Sequence, residues 1–170
     1  MPAFHSDWLG ARLADHICEV ANPYGGKPSS VALCGDGVDG YVFWTRSAAP
    51  FAAAFDDVAA LNLPFVVQFT VTGYSRNLDS YRPRAADAVA QNSALARECG
   101  PRAVVWRYDP VVVTSMTPAA WHIRNFADLA GKLAGLVDEC VNSAAQIYKK
   151  TERRLNIATQ THEFIWQDPV

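Results

Sequence analysis

The stretch "AVVWRYDPVVV", Ala103 to Val113, reads as a strand buried on both faces that nonetheless carries charge. Six of its eleven residues are Ala or Val and two are aromatic, the composition of a parallel strand covered on both sides. Arg107 and Asp109 interrupt it two residues apart, with Pro110 directly behind. Residues i and i+2 of a strand project to one face, so the two charges share a surface. An isolated buried charge is very costly, so each needs a partner. The candidates are the opposite charge, or Gln68 and Thr45 on neighbouring strands. Tyr108 projects the other way, toward packing helices.

Two other runs have the same character, "GYVFWT" (Gly40–Thr45) and "FVVQFTV" (Phe65–Val71). A weaker one spans Glu139–Ala145, and a short strand, "SSVALC" (Ser29–Cys34), precedes the set. Helical segments lie between them. Pro50–Leu61 places Phe51, Phe55 and Val58 on one face behind a first-turn proline. Pro83–Cys99 is rich in alanine and stops at Gly100-Pro101. Thr117-Pro118 reads as an N-cap and first-turn proline, after which Ile123, Phe126, Ala130 and Leu133 line one side. Ser6 is placed to cap a helix over about Asp7–His16, and Lys149–Asn156 suggests another turn or two. This alternation predicts a single α/β domain over residues 1–170, a partial TIM-barrel-like β/α fold with parallel strands. "CGDGVDG" precedes a strand instead of following one, so Asp36 and Asp39 belong to a turn and not to a dinucleotide loop.

Composition narrows the partners. The chain has 170 residues and a net charge of −2, which provides no overall basic field for nucleic acid or anionic lipid. Arg82 and Arg84, and the run Lys149, Lys150, Arg153 and Arg154, are local basic groups of the kind found on solvated faces. No segment approaches the roughly 20 apolar residues of a membrane span, and "MPAFHSDWLG" has no signal-peptide pattern. Cys18, Cys34, Cys99 and Cys140 are scattered and form no C-x-x-C pair. They therefore read as reduced cytoplasmic thiols, with no metal motif and no cofactor of their own. His5, His16, His122 and His162 show no ligand spacing either.

Ligands of parallel α/β sheets bind beyond the carboxyl ends of the strands, and polar residues gather there. Trp44, Thr45 and Arg46 close one strand, Gln68 and Thr70 the next, Arg107 and Asp109 the third, and Asn142 and Ser143 the weak fourth. Arg107, Asp109, Gln68 and Thr70 are the candidate catalytic residues, with Trp44 and Thr45 as pocket lining. Ser143 lacks the G-x-S-x-G setting of a nucleophile.

The blocks "PAFHSDWL", "VFWT…AP", "QFTVTGY", "VVWRYDP", "WHIRNFADLA" and "YKKTERRLN", in this order, closely resemble the bacterial family called domain of unknown function 1848. The resemblance covers Pro2 to about Asn156. It implies a β/α barrel whose members end in a cysteine cluster similar to that of radical S-adenosylmethionine enzymes. Such a cluster implies a 4Fe–4S centre and S-adenosylmethionine as family cofactors. Members also open with a strand and an Arg-Arg-Thr-Asp motif ahead of the residues matched here by Pro2-Ala3-Phe4. The expectation is thus a middle portion, cut at both ends, that carries no cluster ligands.

Three functions follow. The chain is the barrel portion of a radical S-adenosylmethionine-like iron–sulfur protein with a strand-end pocket for an unknown small molecule, not catalytically competent alone. Or it is a non-catalytic small-molecule binding module or remnant. Or it is a cofactor-free hydrolase or lyase using Asp109 and His122 as an acid–base pair. An opened barrel would leave "YVFWT" or its neighbour as an unpaired apolar edge, which predicts self-association.

Overall fold

Alternation along the apolar runs decides which way each strand faces. In the computed structural model, which describes residues 5–80, 83–162 and 164–166, eleven helices and strands follow in order. They are α1 (Ser6–Asp15), β1 (Ile17–Val20), β2 (Ser29–Ala32), β3 (Tyr41–Thr45), α2 (Ala52–Ala60) and β4 (Phe65–Thr70), then α3 (Ala85–Cys99), β5 (Val104–Val111), α4 (Ala119–Leu133), β6 (Glu139–Ala144) and α5 (Lys149–His162). Strands β3, β4, β5 and β6 form one parallel sheet in sequence order, and β1 with β2 forms a separate antiparallel pair.

Phe43, Val67, Phe69, Val104, Trp106 and Tyr108 point to one face and are buried. Phe51 joins Phe55 and Val58 of α2, Leu95 and Ala96 of α3, and Leu129 and Leu133 of α4 in the same core cluster. Ring contacts knit it together: Phe43 lies 5.4 Å from both Phe51 and Phe55, and Trp106 stacks 4.9 Å from Phe126. Side chains of the intervening positions face the other way. There Val42 and Trp44 are 70% and 62% exposed.

The sheet is open, with β3 and β6 as its edges. The expected barrel is therefore present only as a parallel α/β sheet; about eight strands are needed to close one. Several local expectations also change. Ile17–Val20 is a strand, pairing Ile17 with Ala32. Helix α1 begins at Ser6, whose place as cap is taken by His5 without a side-chain bond. The Thr117 hydroxyl donates to the Val112 carbonyl at 2.7 Å instead of capping α4. Ile123 is 71% exposed, because the buried stripe of α4 runs through His122, Leu129 and Leu133. Strand β5 continues through Pro110 to Val111, with a register shift against β6 between Tyr108 and Val111. A proline is tolerated at such an irregularity because no ladder bond is asked of it. Pro2-Ala3-Phe4 and Arg82 lie outside the described residues.

Candidate functional site

Register brings the strand-end residues together. Trp44 lies opposite Gln68, and Thr70 opposite Arg107. Trp44, Gln68, Thr70, Arg107 and Asp109 therefore share the face that the core helices leave open. The Arg107 guanidinium donates to Asp109 Oδ2 at 2.5 Å and to Gln68 Oε1 at 3.2 Å. Its central carbon sits 4.7 Å from the centre of the Trp44 ring, within cation–π range. One arginine thus reaches from β5 across β4 to β3. Its side chain and that of Asp109 are 17% and 19% exposed.

Asp109 is held twice more. The Ser143 hydroxyl on β6 donates to its other oxygen, and Arg46 at the end of β3 adds positive charge. Partial burial pushes the Asp109 carboxyl up, but the Ser143 and Arg107 hydrogen bonds and both arginines outweigh it. The carboxyl stays below its ordinary range, so it is an ionised acceptor rather than a general acid. Arg46 itself pairs with Asp79 in the loop after β4. Two arginines and two aspartates leave the cluster close to neutral.

The opposite face of β5 carries a second polar network. The buried Tyr108 hydroxyl meets His122 Nδ1 at 2.9 Å, and Asn125 Nδ2 donates to that hydroxyl at 2.9 Å and to the Thr72 carbonyl at 2.8 Å. Having accepted from Asn125, the hydroxyl donates to Nδ1. His122 Nε2 donates to the Val112 carbonyl at 3.1 Å, since a carbonyl only accepts. Both ring nitrogens are engaged. Gly73, at φ 72°, is the turn that lets Asn125 approach: a Cβ there would come 2.5 Å from Asn125 Oδ1. Tyr74 adds a bridge, its hydroxyl donating to Pro110 O at 2.6 Å and accepting from Val112 N at 2.9 Å.

These positions sort the expected residues. Trp44, Gln68, Arg107 and Asp109 are joined by direct contacts, and Thr70 stands beside Arg107 on the same face. Thr45 does not join them: it is buried on the helix side, where its hydroxyl donates to Ser47 O at 2.7 Å. Asp109 and His122 lie on opposite faces of β5 and are committed to different partners, so they form no acid–base pair. Ser143 acts as a hydrogen-bond donor to a carboxylate. The Arg46–Asp79 pair was not foreseen, because it depends on how the loop after β4 folds back.

The blocks around Trp44, Gln68 and Arg107 thus form one connected surface. The chain belongs to the DUF1848 family. The family model, described as a domain of unknown function, matches residues 1–168. No curated protein and no solved structure matches the chain.

The iron–sulfur chemistry implied by the resemblance needs three thiolates at one place. Here Cys18 is in β1, Cys34 follows β2, Cys99 ends α3 and Cys140 is in β6. No group of three His, Cys, Asp or Glu able to hold a metal occurs among the described residues. The described cysteines of this DUF1848 chain therefore do not fit a cluster. No helix among the described residues is long and apolar enough to cross a membrane.

Proposed function

We propose that the open sheet face is the inner wall of a β/α-barrel segment and binds a small polar molecule over Trp44, Gln68, Arg107 and Asp109. The observation that carries this reading is the Arg107 guanidinium. It is held between a carboxylate, an amide and an aromatic ring from three consecutive strands, at the end of the sheet where parallel α/β folds place ligands. Sequential parallel strand order with helices on one face is what a barrel segment requires. The charge balance of Arg46, Arg107, Asp79 and Asp109 favours a neutral or zwitterionic molecule over a polyanion. A barrel of the radical S-adenosylmethionine type, as the resemblance implies, would place its substrate against this wall. The chain supplies the wall and not the cluster.

The test is a thermal-shift panel of neutral, zwitterionic, anionic and cationic small molecules on the wild type and Arg107→Met. A neutral or zwitterionic compound that raises the wild-type Tm and leaves the variant's unchanged supports binding at Arg107. If every active compound shifts both proteins equally, the site reading fails.

A second reading is favoured by the internal bonding of the network: Asp109 accepts from both Arg107 and Ser143, and Arg107 donates to Asp109 and Gln68 while lying over Trp44. On that reading the layer is structural and the chain is a non-catalytic module. The same open sheet is also proposed to associate with a second copy, since β3 presents an unpaired edge beside the exposed Val42 and Trp44.

A further inference from the structure

Away from the sheet, the hairpin of β1 and β2 carries a thiol–imidazole pair that the strand-end cluster does not use. His16 ends α1 in the left-handed region, at φ 61°, and hands the chain directly to β1. Cys34 follows β2 by two residues. The antiparallel ladder pairs Ile17 with Ala32, and the Leu33 N–H extends it by donating to the His16 carbonyl at 3.0 Å. That register carries the two side chains to the same end of the hairpin, where His16 Nδ1 contacts Cys34 Sγ. The imidazole is exposed and the thiol half-buried, so a small molecule can approach. Tyr41 stands beside them, its hydroxyl donating to the Leu33 carbonyl. Burial, and then the nearby Cys34, push that hydroxyl up.

The other thiols are placed differently. Cys18 is buried and directed at the Glu19 carbonyl. Cys99 is pushed up by burial and by the nearby Glu98 and Asp56. Cys140 is pushed up by burial in spite of a backbone hydrogen bond. None of the three has an imidazole partner among the described residues. The thiolate is the nucleophile in sulfur chemistry, and an adjacent base that takes the thiol proton is what activates it.

We propose that Cys34 is a thiol–disulfide exchange site, with His16 as its proton acceptor and a small disulfide as its co-reactant. Cys34 passes its proton to His16 Nδ1 and attacks one sulfur of R–S–S–R. The new bond from Sγ forms as the old S–S bond breaks, and the departing RS⁻ takes the proton back from His16. Cys34 is thereby oxidised to a mixed disulfide while one RSH is released, and electrons and protons balance.

The experiment uses the full chain with glutathione disulfide near pH 7, quenched with acid over time and mapped by mass spectrometry. Cys34 is expected to form its mixed disulfide about tenfold faster than Cys99 or Cys140. His16→Asn is the variant of choice because asparagine tolerates the left-handed conformation. It should slow Cys34 by about tenfold while leaving the rates at Cys99 and Cys140, and the Tm, unchanged. Equal rates at the three thiols in the unsubstituted chain would overturn the proposal without recourse to any variant. So would a His16→Asn chain of unchanged Tm in which Cys34 reacts as fast as before.

Discussion

Removing either member of the Arg107–Asp109 pair measures how far the pair is shielded from water. Breaking a buried pair from one side costs about 3–5 kcal/mol, whereas an exposed pair is worth about 0–1 kcal/mol. At 17% and 19% exposure these side chains lie toward the buried end. Each keeps company after the loss, Arg107 with Gln68 and Trp44, Asp109 with Ser143. That retained bonding reduces the expected cost to about 2 kcal/mol for Arg107→Met and the same for Asp109→Ala. The double variant leaves no orphan charge, so it too should cost only about 2 kcal/mol, a coupling of about 2 kcal/mol. For a chain of this size each single loss lowers the Tm by roughly 4–8 °C. Urea unfolding followed by tryptophan fluorescence and far-ultraviolet circular dichroism would supply the four free energies of the cycle. Single costs below about 0.5 kcal/mol, with the double equal to their sum, would put the pair effectively in solvent. The geometry on which the ligand reading depends would then be wrong.

Asp109 also sets a pH dependence. Its carboxyl is held below the ordinary range when folded, so its contribution is present above the unfolded carboxylate's value and lost as pH falls through the folded one. The stability advantage of wild type over Asp109→Asn should be full at pH 7, begin to shrink near about pH 4 and continue shrinking below; an advantage that grows on acidification would reverse the assignment. Tyr74→Phe deletes a hydroxyl that joins Pro110 to Val112 and should cost about 1–3 kcal/mol in urea unfolding. A neutral result would mean that water replaces the bridge. Light scattering should show mass rising with concentration, and Val42→Lys should suppress it by placing charge beside the β3 edge; a wild-type monomer at every concentration would remove the second copy from the account.

What the sequence disclosed and what it withheld follow from distance along the chain and from parity. The two faces of β5 were readable, because Trp106 and Tyr108 alternate with Arg107 and Asp109 over a few residues. Gln68 as a partner followed from the neighbouring strand, and Phe51, Phe55 and Val58 from helical spacing. Thr45 was misplaced although parity forbade it: adjacent residues of a strand cannot share a face, so Trp44 and Thr45 could not both line one pocket. Ile123 was displaced by the neighbouring His122, a polar residue that the apolar pattern passed over. Strand β1 was missed because "ICEV" is four residues with a single buried one, too short for a period to register. The Arg46–Asp79 and Ser143–Asp109 contacts depend on a folded-back loop and on a register shift between β5 and β6. Neither leaves a local trace.

The placement of two charges at the end of an apolar strand has a cause in the ladder itself. The last bond between β4 and β5 runs from the Val71 N–H to the Arg107 carbonyl at 3.0 Å. Beyond it β5 has β6 on one side, where Ala145 donates to the Val111 carbonyl, and no strand among the described residues on the other. The Tyr74 hydroxyl fills that gap, serving Pro110 and Val112 where backbone would otherwise have done so. Arg107 and Asp109 therefore sit where the sheet thins, close enough to its apolar interior to be shielded and close enough to the opening to meet a solute. Moving the same two residues back one period would put the guanidinium at position 105, which is buried between Gln68 and Glu139 and where the ladder is complete on both sides. The desolvation cost would rise there with no gain in access. On the proposed reading, the position of the pair, more than its charge, is what makes this end of the sheet suited to a ligand.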